Sequence, residues 1–282
     1  MIIGVVGLGL MGGSFARAAI KKGHTVYGYD VSEQVMLKAE LMKAITDVLT
    51  EKNTKKVDLL IIATTPDKVD GCLKKFVPQL KNGAVVNDFC GIKRNVVNVM
   101  KKYAKDYPSV SFVGGHPMAG REFSGIEHSR VNLFDNASMI LVNVNADIFT
   151  LEKIKKFYLD FGFKNVEICS AALHDERIAF TSQLCHIVSN AFIKNDNAAL
   201  HDGFSAGSYK DMTRVARLNP VMWGDLMTEN ADNLSKELDQ LIGHLEEYKD
   251  ALKSKDKERL TKLLSDGNER KLFIDGKSQK KE

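Results

Sequence analysis

With 282 residues, 44% of them hydrophobic and 27% charged, the chain is long enough for two domains with separate cores and has the balance of a globular protein. Forty Lys and Arg against 36 Asp and Glu leave a net charge of +4, much of it in tail lysines; no nucleic-acid partner is implied, and a small anionic substrate is compatible. Cys72, Cys90, Cys169 and Cys185 form no paired motif and the seven histidines do not join them at ligand spacing, so reduced thiols are expected rather than a disulfide framework or zinc site, and no metal is expected. No apolar run reaches membrane-spanning length and the chain opens directly into a strand, so a cytoplasmic protein without a signal peptide is expected.

Ile2-Ile3-Gly4-Val5-Val6 is an apolar, β-branched run of the kind buried on both faces of a sheet. It runs straight into Gly7-Leu8-Gly9-Leu10-Met11-Gly12, a full G-x-G-x-x-G, and an amphipathic helical pattern follows from Ser14 to Lys22. The three glycines act differently. Gly7 makes the tight turn, Gly9 lets backbone approach a pyrophosphate, and Gly12 lets the helix sit close on the strand. The helix N-terminus then favours phosphate charge. The second strand, Thr25 to Tyr29, ends in Asp30, about 20 residues past the glycines, where a carboxylate accepts from the ribose hydroxyls and repels a 2′-phosphate. NAD is therefore the expected cofactor rather than NADP.

Asp58 to Ala63 reads as a third strand ending in Thr64, Thr65 and Pro66, small and polar residues that line a ligand crevice at the carboxyl end of a parallel sheet. A helix follows from Asp67 to Leu80, a fourth strand from Ala84 to Asp88, and a helix from Ile92 to Tyr103. Strand and helix alternating at this spacing predict a Rossmann-type, doubly wound parallel sheet with right-handed crossovers. The fifth strand, Val110 to Val113, leads into Gly114-Gly115-His116-Pro117-Met118-Ala119-Gly120-Arg121-Glu122-Phe123-Ser124-Gly125. Two glycines are expected to turn the backbone and Pro117 to stiffen the exit, leaving His116 with little freedom at the sheet edge, as a general base requires. A strand at Ala137 to Asn143, a helix at Leu151 to Phe161 and a short segment at Val166 to Cys169 complete a domain of residues 1–170.

The remaining chain reads as an all-helical domain, residues 171–275, with helices at His174 to Ile193, Val221 to Leu252 and Lys257 to Phe273, followed by a disordered tail at 276–282. Helices apolar on more than one face suit a homodimer. Ser182, His186 and Asn190 make a polar line on one helix face, as a crevice lining would. Lys210 and Arg214, at i and i+4 with Asp211 a poor counter-charge for both, form a cationic fork for an anionic ligand. Asn219-Pro220 starts a helix carrying Trp223, the single tryptophan and most simply a core anchor.

Together, His116 to Gly125, the Ser182-Gln183-Leu184-Cys185-His186 helix and Tyr209 to Trp223 resemble the prephenate dehydrogenases of tyrosine biosynthesis over nearly the whole chain. The resemblance implies NAD-dependent oxidative decarboxylation of prephenate, a dianion, to 4-hydroxyphenylpyruvate. It implies that His116 is the catalytic histidine and that Glu122 guards the pocket entrance. His186, Lys210 and Arg214 would address the substrate carboxylates, with Trp223 among the substrate-binding residues. Two departures are visible. A serine often found after the family's fourth strand is Gly91 here, and a histidine and a proline common in the helix motif are Gln183 and Cys185. No regulatory or mutase domain is expected. Three alternatives stand beside this reading. One is arogenate dehydrogenase, which runs the same reaction on a substrate bearing an ammonium group. Another is a hydroxyacid dehydrogenase of the 3-hydroxyisobutyrate type, for which Lys194 and Asn195 match the required lysine and asparagine poorly. The third is an NAD-sensing module without activity, which has no need of a histidine facing a cation fork.

Overall fold

The computed structural model describes residues 1–121 and 123–279. Its centre is one eight-stranded sheet: β1 (Ile2–Val6), β2 (Thr25–Tyr29), β3 (Asp47–Val48), β4 (Leu59–Ile62), β5 (Val85–Asp88), β6 (Ser111–Met118), β7 (Ser138–Asn143) and β8 (Asn165–Ile168). The order across the sheet is β3-β2-β1-β4-β5-β6-β7-β8. All neighbours pair in parallel except β6 and β7, which run antiparallel. Between and after the strands lie α1 (Leu10–Lys21), α2 (Glu33–Leu41), α3 (Glu51–Thr54), α4 (Val69–Phe76), α5 (Arg94–Asp106) and α6 (Ile148–Phe161). The helical half comprises α7 (Ala171–Ile178), α8 (Cys185–Phe192), α9 (Gly207–Thr213), α10 (Pro220–Thr228), α11 (Ala231–Lys253) and α12 (Lys257–Gln279).

The continuous apolar runs of β1 and β4 are explained by burial on two faces. Ile3, Val5, Leu59 and Ile61 face one core with Phe15 of α1 and Tyr158 and Phe161 of α6. Val6, Leu60 and Ile62 face the other with Leu73 and Phe76 of α4 and Val96 and Met100 of α5. Period-2 alternation thus sends consecutive residues of one strand into separate cores, which is the signature of a doubly wound sheet.

Two expectations about the fifth strand change. It does not turn at Gly114 and Gly115 but continues to Met118, pairing residue for residue with β7 from Val113↔Asn143 to Met118↔Ser138. The glycines serve close approach: a Cβ on Gly115 would lie 2.6 Å from the Asp88 carbonyl oxygen and 2.7 Å from Asn87 Nδ2. Pro117 is tolerated in the strand because β5 pairs with β6 only over Ser111 to Val113, leaving the later residues one partner. The sheet therefore ends with a reversal at β7.

The helices also differ in detail. The pattern read as one helix from Val221 to Leu252 is broken at Glu229 and Asn230. The fully buried Asn230 side chain turns inward there, its Nδ2 donating to the Asp175 carbonyl (2.9 Å) and to Gln183 Oε1 (2.8 Å). Helices α7 and α8 are joined by a π-helical turn, Ala179–Leu184. Residues 1–231, including α7 to α10, form one compact unit, and the chain from residue 232 forms a second. In the second, α11 and α12 meet at a turn where Lys255 adopts φ 54°, and Tyr248 donates to the Leu263 carbonyl at 3.1 Å. Helix α12 continues through Gln279, into the segment expected to be a tail; residues 280–282 lie outside the described residues. Among the described residues no helix is long and apolar enough to cross a membrane.

Candidate active site

The carboxyl edge of the parallel strands carries the site, and a line of contacts runs along it. At the end of β1, Gly7 adopts φ 87°, and a Cβ there would meet the Ala63 carbonyl oxygen at 2.5 Å. A Cβ on Gly12 would fall 1.8 Å from the Gly7 carbonyl oxygen, so α1 can leave the strand this closely only with glycine. Around the Cβ position of Gly9 nothing lies within 4 Å, which leaves open the approach a pyrophosphate needs at the N-terminus of α1. Leu8, Leu10 and Met11 complete the loop, and the Leu8 amide donates to Asp30 Oδ2 at 2.8 Å. Asp30 Oδ1 accepts from the Ser32 amide at 3.0 Å. The carboxylate is thus pinned to the glycine loop itself, at the end of β2 where a ribose would lie. These residues fit a dinucleotide.

Further along, Thr64 donates to the Thr65 carbonyl at 3.2 Å, Thr65 donates to Asp67, and Pro66 opens a short 3₁₀ turn. The Cys90 thiol donates to the Thr64 carbonyl at 3.4 Å, linking the β4 edge to the β5 edge. Asp88, at the end of β5, is fully buried: Oδ2 accepts from the Cys90 amide (2.8 Å) and from Lys93 Nζ, and Oδ1 accepts from the Gly115 amide (3.0 Å). That last bond fixes the residue preceding His116.

His116 sits half-buried on β6 with Nδ1 2.9 Å from Nε2 of His174. His174 is buried in α7, and its Nδ1 lies 2.7 Å from Asp175 Oδ1. Asp175 in turn accepts from the amides of Lys93 (2.7 Å) and Arg94 (2.8 Å) and pairs with Arg94 Nε at 3.2 Å. Burial, and then the neighbouring His174 and Lys93, hold His116 well below the ordinary histidine pKa, against a smaller opposing pull from Asp175. Burial also lowers His174, against the hydrogen bond to Asp175. For Asp175 burial pushes upward, but the His174 hydrogen bond and the two amides outweigh it, leaving the carboxyl below its usual value. A neutral imidazole on the same sheet edge as the glycine loop can take a proton at neutral pH.

His174, Asp175, Asp88 and Lys93 do not stand out in the sequence. His174 and Asp175 adjoin on α7, but nothing local shows that they face a histidine 58 residues earlier. His116 takes its ring hydrogen-bond partner from His174, while the Cys90 thiol turns to Thr64.

The remaining candidates lie in the helical half. His186 Nδ1 donates to the Ser182 carbonyl at 2.8 Å, and its ring lies 4.0 Å from that of Trp223, tilted by 31°. Trp223 is half-buried, so it packs on His186 and is not a core anchor. Asn190 does not line the crevice with them: its Nδ2 donates to the Ala216 carbonyl at 2.9 Å, and Ser189 Oγ donates to the Met212 carbonyl at 2.7 Å. These two bonds bind α8 to α9 and the turn after it; Lys210, in α9, and Arg214, its C-cap, are both solvent-exposed. Arg121 is used locally, donating to the His128 carbonyl at 3.2 Å. Glu122 lies outside the described residues. Among the described residues no group of three His, Cys, Asp or Glu is placed to hold a metal ion.

Comparison with known proteins places this arrangement among relatives. The family model for the nucleotide-binding domain of prephenate dehydrogenase matches residues 15–167, and the model for the prephenate dehydrogenase dimerization domain matches residues 170–266. The chain is 29% identical to a cyclohexadienyl dehydrogenase of Zymomonas mobilis, over 96% of this chain and 95% of that protein. It is similar to the crystal structure of prephenate dehydrogenase from Aquifex aeolicus in complex with hydroxyphenyl propionate and NAD+, with TM-score 0.82 and 28% identity, covering 97% of this chain and 98% of that one. Synechocystis arogenate dehydrogenase gives TM-score 0.78 and 26% identity, over 97% and 100% of the two chains.

Proposed function

The chain belongs to the prephenate dehydrogenase family, and on that premise we propose that it catalyses the NAD-dependent oxidative decarboxylation of prephenate to 4-hydroxyphenylpyruvate, with His116 as the base. The observation that carries this is a half-buried histidine on the same carboxyl edge as the glycine loop, with the residue before it bonded to Asp88 and Asp88 linked through Cys90 to Thr64 at the end of β4. NAD, when bound, supplies the hydride acceptor. The protein's own work is orientation, proton removal and anion binding. Gly7 to Gly12 and Asp30 hold the dinucleotide, with Thr64, Thr65 and Pro66 lining the crevice beside it. His116 takes the hydroxyl proton as the ring carbon bearing that hydroxyl is oxidised. Carbon dioxide is then lost readily because the ring becomes aromatic.

Arg214, with Lys210 and His186, supplies the clamp for the two carboxylates, and Trp223 packs against His186 to set that ring's orientation. Glu122 guards the entrance. The division of labour follows a dinucleotide-binding part at residues 1–170 and a substrate-binding and dimerisation part at 171–275. A homodimer through the helices is supported by apolar side chains they leave uncovered, among them Leu200 (73% exposed), Phe204 (93%) and Val221 (75%). A cytoplasmic enzyme of tyrosine biosynthesis fits the product, which needs only an amino group to become tyrosine.

The second reading, arogenate as substrate, is supported by the likeness to the Synechocystis enzyme. Purified protein with NAD and prephenate, then with arogenate, followed by NADH formation, separates the two. NADH from prephenate supports the first reading, NADH from arogenate alone supports the second, and none from either overturns both.

A further inference from the structure

A histidine acts as a base only through a ring nitrogen bearing a lone pair, and a neutral imidazole has one. Which nitrogen it is depends on the partner of the other. In the 2.9 Å contact between His116 Nδ1 and His174 Nε2, one nitrogen must donate and the other accept. The contact alone does not decide. The decision is made one residue further on, where His174 Nδ1 meets Asp175 Oδ1 at 2.7 Å. Asp175 already accepts from the amides of Lys93 and Arg94 and from Arg94 Nε, so its ionised carboxylate has only acceptor capacity to offer.

His174 therefore carries its proton on Nδ1. Burial keeps its ring neutral, so Nε2 is an acceptor. His116 must then donate from Nδ1, and its Nε2 is left with the lone pair. The other charged groups near the pair are already engaged: the Lys93 ammonium by Asp88 and the Arg94 guanidinium by Asp175 and by Asn230 Oδ1 (2.9 Å).

We propose that His174, locked by Asp175, is a positioning residue that fixes His116 in its Nδ1–H tautomer and thereby makes Nε2 the base. The proposal rests on the functional reading above for what the base acts on. In the step itself the substrate O–H bond breaks, its proton bonds to His116 Nε2, and its electron pair forms the carbonyl as hydride leaves the ring carbon for NAD. His116 becomes an imidazolium whose Nδ1–H to His174 is now a charge-assisted hydrogen bond, with the Asp175 charge behind it. The proton later leaves Nε2 for water.

The test uses the full-length ¹⁵N-labelled protein and two-bond ¹H–¹⁵N correlation spectra of the histidine rings at alkaline pH, beside steady-state kinetics. The wild type should show His116 protonated on Nδ1. In His174→Leu the acceptor is gone, so His116 should move to the Nε2–H form or a mixture. Its kcat should fall by roughly 10²-fold or more, towards the ~10⁴ lost when a catalytic triad's orienting aspartate is replaced, while the KM values for NAD and substrate stay within about threefold. His174→Gln carries an amide oxygen within reach of His116 and should recover the Nδ1–H signature and most of the kcat. A purely structural role would lower the melting temperature of both variants without changing the tautomer. Wild-type His116 protonated on Nε2 would overturn the proposal. So would a folded His174→Leu that kept both tautomer and kcat. Should the leucine variant fail to fold, the wild-type spectrum and the glutamine variant still decide. An Nδ1–H spectrum in a protein that oxidises neither prephenate nor arogenate would overturn the functional reading and leave the tautomer assignment standing.

Discussion

Lys93→Met removes one half of an ion pair in which both side chains are fully buried. The ammonium contacts Asp88 Oδ2. Breaking a buried pair from one side costs about 3–5 kcal/mol, because the remaining charge keeps its desolvation cost and loses its compensation. Here Asp88 retains two amide donors, Cys90 at 2.8 Å and Gly115 at 3.0 Å. Hydrogen bonds to a charged group contribute about 1.5–3 kcal/mol each, so the loss should fall near the lower end, at about 3 kcal/mol. For a chain of this size each kcal/mol is worth about 2–4 °C, giving a fall in Tm of roughly 6–12 °C. Activity should fall as well, because Asp88 holds the amide directly before His116. Thermal melts of wild type, Lys93→Met, Asp88→Asn and the double variant, with kcat for each, provide the assay. The double variant should lose clearly less than the sum of the singles. A Lys93→Met protein melting within about 2 °C of wild type, with strictly additive losses in the cycle, would refute the reasoning.

Asp30→Ser should narrow the preference for NAD over NADP mainly by weakening NAD, since the residue both faces the ribose site and holds the Leu8 amide of the glycine loop; equal kcat/KM with the two cofactors in the wild type would contradict it. Arg214→Gln should raise the KM for prephenate by about tenfold or more, the equivalent of one charge-assisted bond of about 1.5–3 kcal/mol, with NAD affinity little changed and Arg214→Lys recovering part; an unchanged prephenate KM in a well-folded variant removes Arg214 from the site. His116 and His174 have folded pKa values below the ordinary 6.5, so the unfolded chain binds more protons as pH falls through that value. Their contribution to stability is complete above about pH 6.5 and is lost progressively towards the lower folded values, so the melting temperature should decline below about pH 6.5. The acid limb of kcat/KM should lie below that pH too, and a limb at or above it would contradict the burial argument.

What the sequence makes legible divides by range. The role of each glycine in Gly7 to Gly12 is local, a turn, an opening and a close helix, and the structure shows all three at those positions. His116 is visible because two glycines and a proline flank it and Arg121, Glu122 and Ser124 follow within a few residues. The dyad behind it is not, because Asp175 is joined to Lys93 and Arg94 across 82 and 81 residues, and an acidic residue on a helix looks solvated until its donors are seen. The same holds for Asn230, whose inward bonds to Asp175 and Gln183 break a helix that periodicity alone would continue. The reversal at β7 is hidden because its apolar run reads the same in either direction. Gly115 reads as a turn residue because no local feature reveals that the Asp88 backbone presses against it.

The central claim, that His116 is the base of a prephenate-oxidising site, is tested most directly by single-turnover NADH formation from prephenate with wild type and His116→Asn. The account predicts that the variant binds both ligands with nearly the wild-type dissociation constants while its hydride-transfer rate falls by roughly 10²–10⁴-fold, the loss typical of a positioned base. A His116→Asn protein that forms NADH within about tenfold of the wild-type rate would contradict it.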